Sequence, residues 1–381
     1  MDKKDIKKLL ERYLADECTD AERAIVEDWY NRQHSEAPHD IPAAEIEADI
    51  AAIKKELPQP SARRRFVNLR YHAAAAIVII GIGVWIVQPR FFNKLEDAPL
   101  AVIDENDILP GGNRALLTLA DGTAILLDDK PVGKIAQEGN NIVYKNADGE
   151  LVYRRSDGPP SEVRANEFHR ITTPRGGQCQ LTLPDGSQVW LNAESAIRFS
   201  ANNSGDERIV ELTGEAYFEV ARDANRPFKV ITGKQVIEVL GTHFNVNSYP
   251  NEPVVRTTLV EGSVKVSEKS ETRSVVLKPG QQASIGDQRR LTVHDVSVAD
   301  AIAWKNGMFS FNDSNIESIM RQLSRWYDVE VEFEGNKPEF KLWGEVYRNV
   351  KASEALEILS FFNLNYRIET VNGVKKIVIS G

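Results

Sequence analysis

Hydrophobic positions along the chain follow first a helical period, then one unbroken apolar run, then a period of two. Ile6, Leu9, Leu10, Tyr13 and Leu14 recur at i, i+3, i+4, i+7 and i+8, one face of a helix. Thr19 and Glu22 form a capping-box signature ahead of a second apolar face, Ile25, Val26, Trp29 and Tyr30. A third stripe, Ile46, Ile50, Ile53 and Leu57, ends where Pro58 and Pro60 stop the helix. Residues 1–57 are expected to be a small all-α, three-helix head, with a basic linker over 58–70. Tyr71 to Pro89 then gives 19 residues without a Lys, Arg, Asp or Glu. At 1.5 Å per residue the run is about 28 Å long, close to a hydrocarbon core of ~30 Å. The expectation is one transmembrane helix over 71–89.

Beyond the run, turns and alternation dominate. LTLADG (Leu117 to Gly122) and LTLPDG (Leu181 to Gly186) repeat each other, and Asp-Gly recurs at Asp148-Gly149. That pair readily takes the positive φ angles of tight hairpins. Ala216, Phe218 and Val220 alternate with Glu215, Tyr217 and Glu219, one strand with two unlike faces. Residues 90–303 are expected to form an all-β domain, a sandwich or a solenoid-like stack. From Trp304 the order becomes β-α-β-β-α-β-β. Ser314 and Glu317 form a capping box before a stripe of Ile316, Ile319, Met320, Leu323 and Tyr327, and Asn372-Gly373 joins the last two strands. Residues 304–381 read as a small α+β domain whose sheet edge could accept a partner strand. Lys351 stands where a Ser or Thr cap is expected for its last long helix, leaving Ser353 as the nearest candidate. The fold class expected is therefore multidomain: α head, membrane helix, β domain and α+β domain.

Charge orients this arrangement. Arg63, Arg64, Arg65 and Arg70 precede the apolar run, whereas only Arg90 and Lys94 closely follow it. The positive-inside rule keeps the N-terminus cytoplasmic and exports about 290 residues. Cys18 and Cys179 then lie on opposite sides of the membrane and cannot pair. The head carries nine basic and 15 acidic residues, a net −6, and is too small to bury much surface. Both features suit a basic partner docked on its apolar faces. Over the whole chain, 42% hydrophobic and 27% charged residues exclude a disordered protein, and a net charge of −9 argues against one that coats nucleic acid. No HExxH, CxxC, GxSxG or SxxK is present, and Gly233-Lys234 lacks the rest of a phosphate loop. His169, His243 and His294 stand alone on strand-like stretches, so no metal, cofactor or conventional enzyme activity is expected.

Several long motifs, in order, carry a resemblance. TPRGGQCQLTLPDGSQVWLNAESAIRF (Thr173 to Phe199), ELTGEAYFEV (Glu211 to Val220), RPFKV (Arg226 to Val230), EVLGTHFNV (Glu238 to Val246) and LVEGSVKV (Leu259 to Val266) closely resemble the FecR family of inner-membrane anti-sigma regulators. AWKNGMFSF (Ala303 to Phe311) and RQLSRWYDVEVEFEG (Arg321 to Gly335) are similar to that family's C-terminal domain, itself similar to the short signalling domains of secretins and TonB-dependent receptors. The head motif LLERYLADECTDAE (Leu9 to Glu22) belongs to the same resemblance. The resemblance implies that the head, through Leu9, Leu10, Tyr13, Ile25 and Trp29, holds an extracytoplasmic-function sigma factor. It also implies that the periplasmic part meets the signalling domain of an outer-membrane TonB-dependent transducer, and that membrane proteases release the sigma factor. Gly241-Thr242 matches the bond at which some relatives cut themselves, the Thr242 hydroxyl attacking the Gly241 carbonyl; the alternative is a glycine bend between strands. The competing function is a membrane-tethered periplasmic glycan-binding or scaffold protein, which needs exposed aromatics on one face. Trp190, Trp304, Trp326 and Trp343 are expected instead in cores or domain interfaces.

Overall fold

The computed structural model describes residues 107–380 apart from 129, 156–167, 203–204, 271–272, 287–289, 336, 338–340 and 363. The chain divides into two compact units, Met1–Pro99 and Leu100–Gly381, and the described residues all belong to the second. They correct the fold class expected from sequence: the structure is mostly β-sheet with few helices. Its α-helices are α1 (Val298–Ile302), α2 (Ile316–Tyr327) and α3 (Ala352–Leu356). The 12 residues of α2 make only about 18 Å at 1.5 Å per residue, and one side of it is polar. Among the described residues, no helix is long and apolar enough to cross a membrane. The expected helical head with Leu9, Leu10, Tyr13, Ile25 and Trp29, the expected span at 71–89 and the flanking Arg63, Arg64, Arg65 and Arg70 lie outside the described residues.

Nineteen strands form a continuous hydrogen-bonded system that folds into two facing layers. One layer runs Ala124–Leu126, Leu116–Thr118, Phe168–Thr173, Ser195–Ser200, the first half of Arg208–Glu219, Phe228–Ile231, Gln235–Val239, Val264–Glu268 and Ser274–Leu277. The other runs Gly133–Glu138, Asn141–Lys145, Leu151–Arg155, Gly177–Thr182, Gln188–Leu191, the second half of Arg208–Glu219, His243–Ser248, Val255–Glu261, Gln281–Ile285 and Leu291–Asp295. The long strand crosses between layers at Gly214. Its φ of +90° and the approach of Ser195 Cα, 2.7 Å from where a Cβ would stand, leave room for glycine only. Alternation puts Leu117, Ile171 and Ile197 in one inward row, with Phe218 stacked on Phe244 from the second layer, all in a single dry core. Each such side chain contributes roughly 1.5–3 kcal/mol of burial.

The turns use two geometries. At Asp121-Gly122 and Asp185-Gly186 only the glycine has positive φ, and the Asp carboxylate instead accepts the amide two residues on, from Thr123 at 2.7 Å and Ser187 at 3.0 Å. Asn372-Gly373 has both residues at positive φ, the two-residue hairpin that Asn-Gly favours.

The C-terminal module follows the order β-α-β-β-α-β-β but splits its strands between two sheets. Met308–Asn315 pairs with Lys341–Tyr347, while Val374–Ser380 lies between Glu330–Glu334 and Asn365–Val371. The α2 stripe of Ile316, Ile319, Met320 and Leu323 fills a second core against Phe309, Phe311, Leu342, Leu356 and Ile377. Asn315, and not Ser314, caps α2 by accepting the Ser318 amide at 2.8 Å, while Glu317 pairs with Lys337. Lys351 occupies the N-cap position of α3 without a side-chain cap bond, its ammonium instead 3.9 Å from the Asp107 carboxylate, and Ser353 is the second residue of the helix.

Candidate functional site

Two features of the described structure have the form of working surfaces: a charged junction between the β layers and the C-terminal module, and an exposed aromatic face on that module.

The junction is built from residues far apart in sequence. Arg321 and Arg325 lie one turn apart on α2, so both guanidinium groups point the same way. Glu252, in the turn after His243–Ser248, takes both: Arg321 Nε and Nη2 donate at 3.1 and 2.8 Å, and Arg325 Nη2 donates at 3.0 Å. Burial alone would raise the Glu252 carboxyl, but the Arg321 hydrogen bonds and the Arg325 and Arg321 charges hold it below the usual range. Arg325 also stacks on Tyr249, 4.0 Å from the ring centre. Burial pushes the Tyr249 hydroxyl up, and it donates to the Ala193 carbonyl at 2.7 Å.

Arg348 is the second buried cation of the junction. It lies 3.8 Å over the Trp326 ring and donates to the Trp304 carbonyl and Asn192 Oδ1, each at 2.8 Å. Burial lowers its guanidinium to about 10. Asn192 and Asn245 in turn donate to the buried Glu215 at 2.8 and 3.0 Å, and the Trp304 ring N–H donates to Asn245. These groups border a polar cavity of about 140 Å³. The arrangement is one of fixed charges held by fixed partners, which sets how the module sits on the β layers.

The aromatic face lies on Lys341–Tyr347. Trp343 and Tyr347 fall on the outward side by the two-residue period and are 56% and 64% exposed. Trp343 is thus not the core or interface residue expected from sequence, whereas Trp304 and Trp326 are buried. Trp190 rests under Lys305, 4.2 Å from its ring centre. The three-stranded sheet of the same module is covered differently, its face laced by Glu332–Lys376 and by Arg367 with Glu334 and Glu369. Such charges protect a sheet from unwanted pairing. The Trp343–Tyr347 face has only Glu345 between its rings.

The remaining candidates have ordinary surroundings. A Cβ on Gly241 would come within 2.8 Å of Arg222 Cα, and the Thr242 hydroxyl donates to the Ser263 carbonyl at 3.0 Å. The structure thereby gives both residues a packing role. His169 is buried between Tyr153, at 3.1 Å, and Glu138, at 2.7 Å, and His243 faces Glu261. Burial pushes the Cys179 thiol up to about 12, an inert state. Among the described residues, no group of three His, Cys, Asp or Glu could hold a metal ion.

Family profiles match this fold in two places, the FecR protein family over residues 169–265 and the FecR C-terminal family over residues 308–378. The chain thus carries both regions of the FecR family. Two crystal structures of a protein named as a "putative anti-sigma factor" from Parabacteroides distasonis ATCC 8503, at 1.65 and 2.50 Å, have similar folds. They are 29% and 28% identical, cover 55% and 56% of this chain and 97% and 98% of their own, and each has a TM-score of 0.51. No curated protein matches the chain. Glu252 belongs to the first FecR region and Arg321, Arg325 and Arg348 to the second, so the junction ties the two regions together. Sequence reasoning missed it because its partners are about 70 residues apart. The one local signal was the pair of arginines beside Trp326 in RQLSRWY.

Proposed function

We propose that this protein is a non-enzymatic anti-sigma regulator that relays a signal received by its C-terminal half. The observation that carries the reading is the likeness to the structures named as an anti-sigma factor, which extends over nearly their whole length. In the finer form of the proposal, the N-terminal 57 residues hold an extracytoplasmic-function sigma factor in the cytoplasm. The described half is periplasmic, and the protein belongs to the inner membrane. Support comes from the net −6 of that head and from the four arginines Arg63, Arg64, Arg65 and Arg70.

On the other side, the signalling domain of a TonB-dependent transducer engages the C-terminal module, and proteolysis then frees the sigma factor. The exposed Trp343 and Tyr347 support a docking role, since aromatic side chains dominate binding hot spots. The affinity-tagged full chain, purified from native membranes in mild detergent, is expected to bring down one sigma factor. Capture of a different class of cytoplasmic protein, with no sigma factor retained, overturns the reading.

A further inference from the structure

The missing side-chain cap on α3 is supplied from the other end of the described chain. Asp107 Oδ1 accepts the Ser353 amide at 3.2 Å, and its Oδ2 accepts the Ser353 hydroxyl at 2.8 Å. The Ala352 amide donates to the Ile108 carbonyl at 2.9 Å, and Lys375 donates to the Asp107 carbonyl at 3.2 Å. Two of the amides that α3 cannot satisfy internally therefore depend on a segment some 245 residues earlier in sequence. The Ile108 side chain, 4% exposed, enters the second core beside the helix.

Four residues later the same segment passes between α2 and the β layers and then joins the latter. A Cβ on Gly111 would stand 2.7 Å from the Gly176 carbonyl and 2.8 Å from Trp326, so the chain threads a gap with no spare room. Gly112 and Asn113 then pair in parallel with Gly177 and Gln178. Between the two anchorages Leu109 is 71% exposed. Residues 107–113 thus form a strap with an exposed centre, fastened at one end to the C-terminal module and at the other to the β layers.

We infer that this strap is a releasable clasp: the C-terminal module holds the leading end of the β body through α3, and displacement of α3 frees it and opens its backbone to endoproteases. A protease needs several residues of extended, unbonded chain, which the clasped strap withholds. Once freed, hydrolysis of an amide in the strap takes one water and leaves a new carboxylate and a new amine. The strand that bears Trp343 and Tyr347 packs against the helical turn that follows α3: a Cβ on Gly344, on the face opposite those rings, would stand 2.6 Å from Ile358. The inference rests on these contacts and not on the anti-sigma reading.

Hydrogen exchange by mass spectrometry on the detergent-solubilised full chain tests it, comparing wild type, Asp107→Ala and Asp107→Ala/Lys351→Ser. Asp107→Ala should speed exchange at least tenfold in peptides covering 107–113 and 352–356, and proteinase K should gain a cut within 107–113. Peptides covering 208–219 should be unchanged. Adding Lys351→Ser supplies a local cap, because Lys351 already has the extended backbone of an N-cap (φ −67°, ψ 159°). It should restore protection to 352–356 and leave 107–113 open. A rise below tenfold at 107–113, an equal rise at 208–219, or recovery of both segments with Lys351→Ser overturns the inference.

Discussion

Replacing Glu252 by Gln removes one negative charge from the junction and leaves its shape nearly unchanged. Arg325, with a side chain only 5% exposed, then keeps Asn251 at 3.4 Å and the Tyr249 ring but loses its counter-charge. Breaking a buried pair from one side costs about 3–5 kcal/mol, and Arg321 is exposed enough that water recovers its share, so the low end applies. A loss of ~3 kcal/mol lowers the melting temperature of a unit this size by roughly 6 °C. Because Glu252 is held below its ordinary value in the folded protein, its stabilisation is complete above the unfolded value. That stabilisation drains away as pH falls through the lower folded value. Thermal melts followed by tryptophan fluorescence should therefore show a gap between wild type and Glu252→Gln that is full at pH 7 and narrows steadily below pH 4.5. A gap under 1 °C at pH 7, or one that does not change with pH, refutes the reasoning.

Other changes probe separate links. Gly214→Ala forces a side chain into Ser195 at positive φ, so it should cost about 2–4 kcal/mol in urea unfolding; a loss below 0.5 kcal/mol would show that the crossing strand does not need glycine. Trp343→Ala with Tyr347→Ala removes exposed rings, so the melt should move by less than 1 °C while binding of the transducer signalling domain proposed for that face weakens at least tenfold by calorimetry. Unchanged binding would assign the docking face elsewhere. Thr242→Ala loses one hydrogen bond to Ser263, worth about 1 kcal/mol, and should leave the fragment pattern of the purified chain as it is in wild type. Fragments that vanish only in Thr242→Ala would instead assign the cut to that hydroxyl.

What the sequence made legible was local. The α2 stripe and the Asn372-Gly373 hairpin follow from short-range chemistry and stand where the pattern put them. The Asp-Gly turns were found, but not their geometry, since the Asp side chain competes for the amide two residues on and stays at negative φ. Helix starts slipped for a similar reason: Asn315 outcompetes Ser314 by one position, and α3 borrows Asp107 from beyond any local window. The junction needed Glu252 and Arg325 to be brought together by the packing of two distinct cores, which no periodicity encodes. Trp343 was misplaced because a lone aromatic on an alternating strand has two faces to choose from, and the choice is made by Leu342 and Val346 pointing into the core.

In the proposed role the N-terminal head withholds a sigma factor while the C-terminal part receives the signal. The most direct measurement takes the sigma factor captured by the full chain and titrates it with core RNA polymerase, in the presence of either the detergent-solubilised full chain or a chain lacking residues 1–57. The full chain should weaken sigma binding to the polymerase by at least a hundredfold, and the shortened chain should have no effect. Equal polymerase binding with both chains would contradict it.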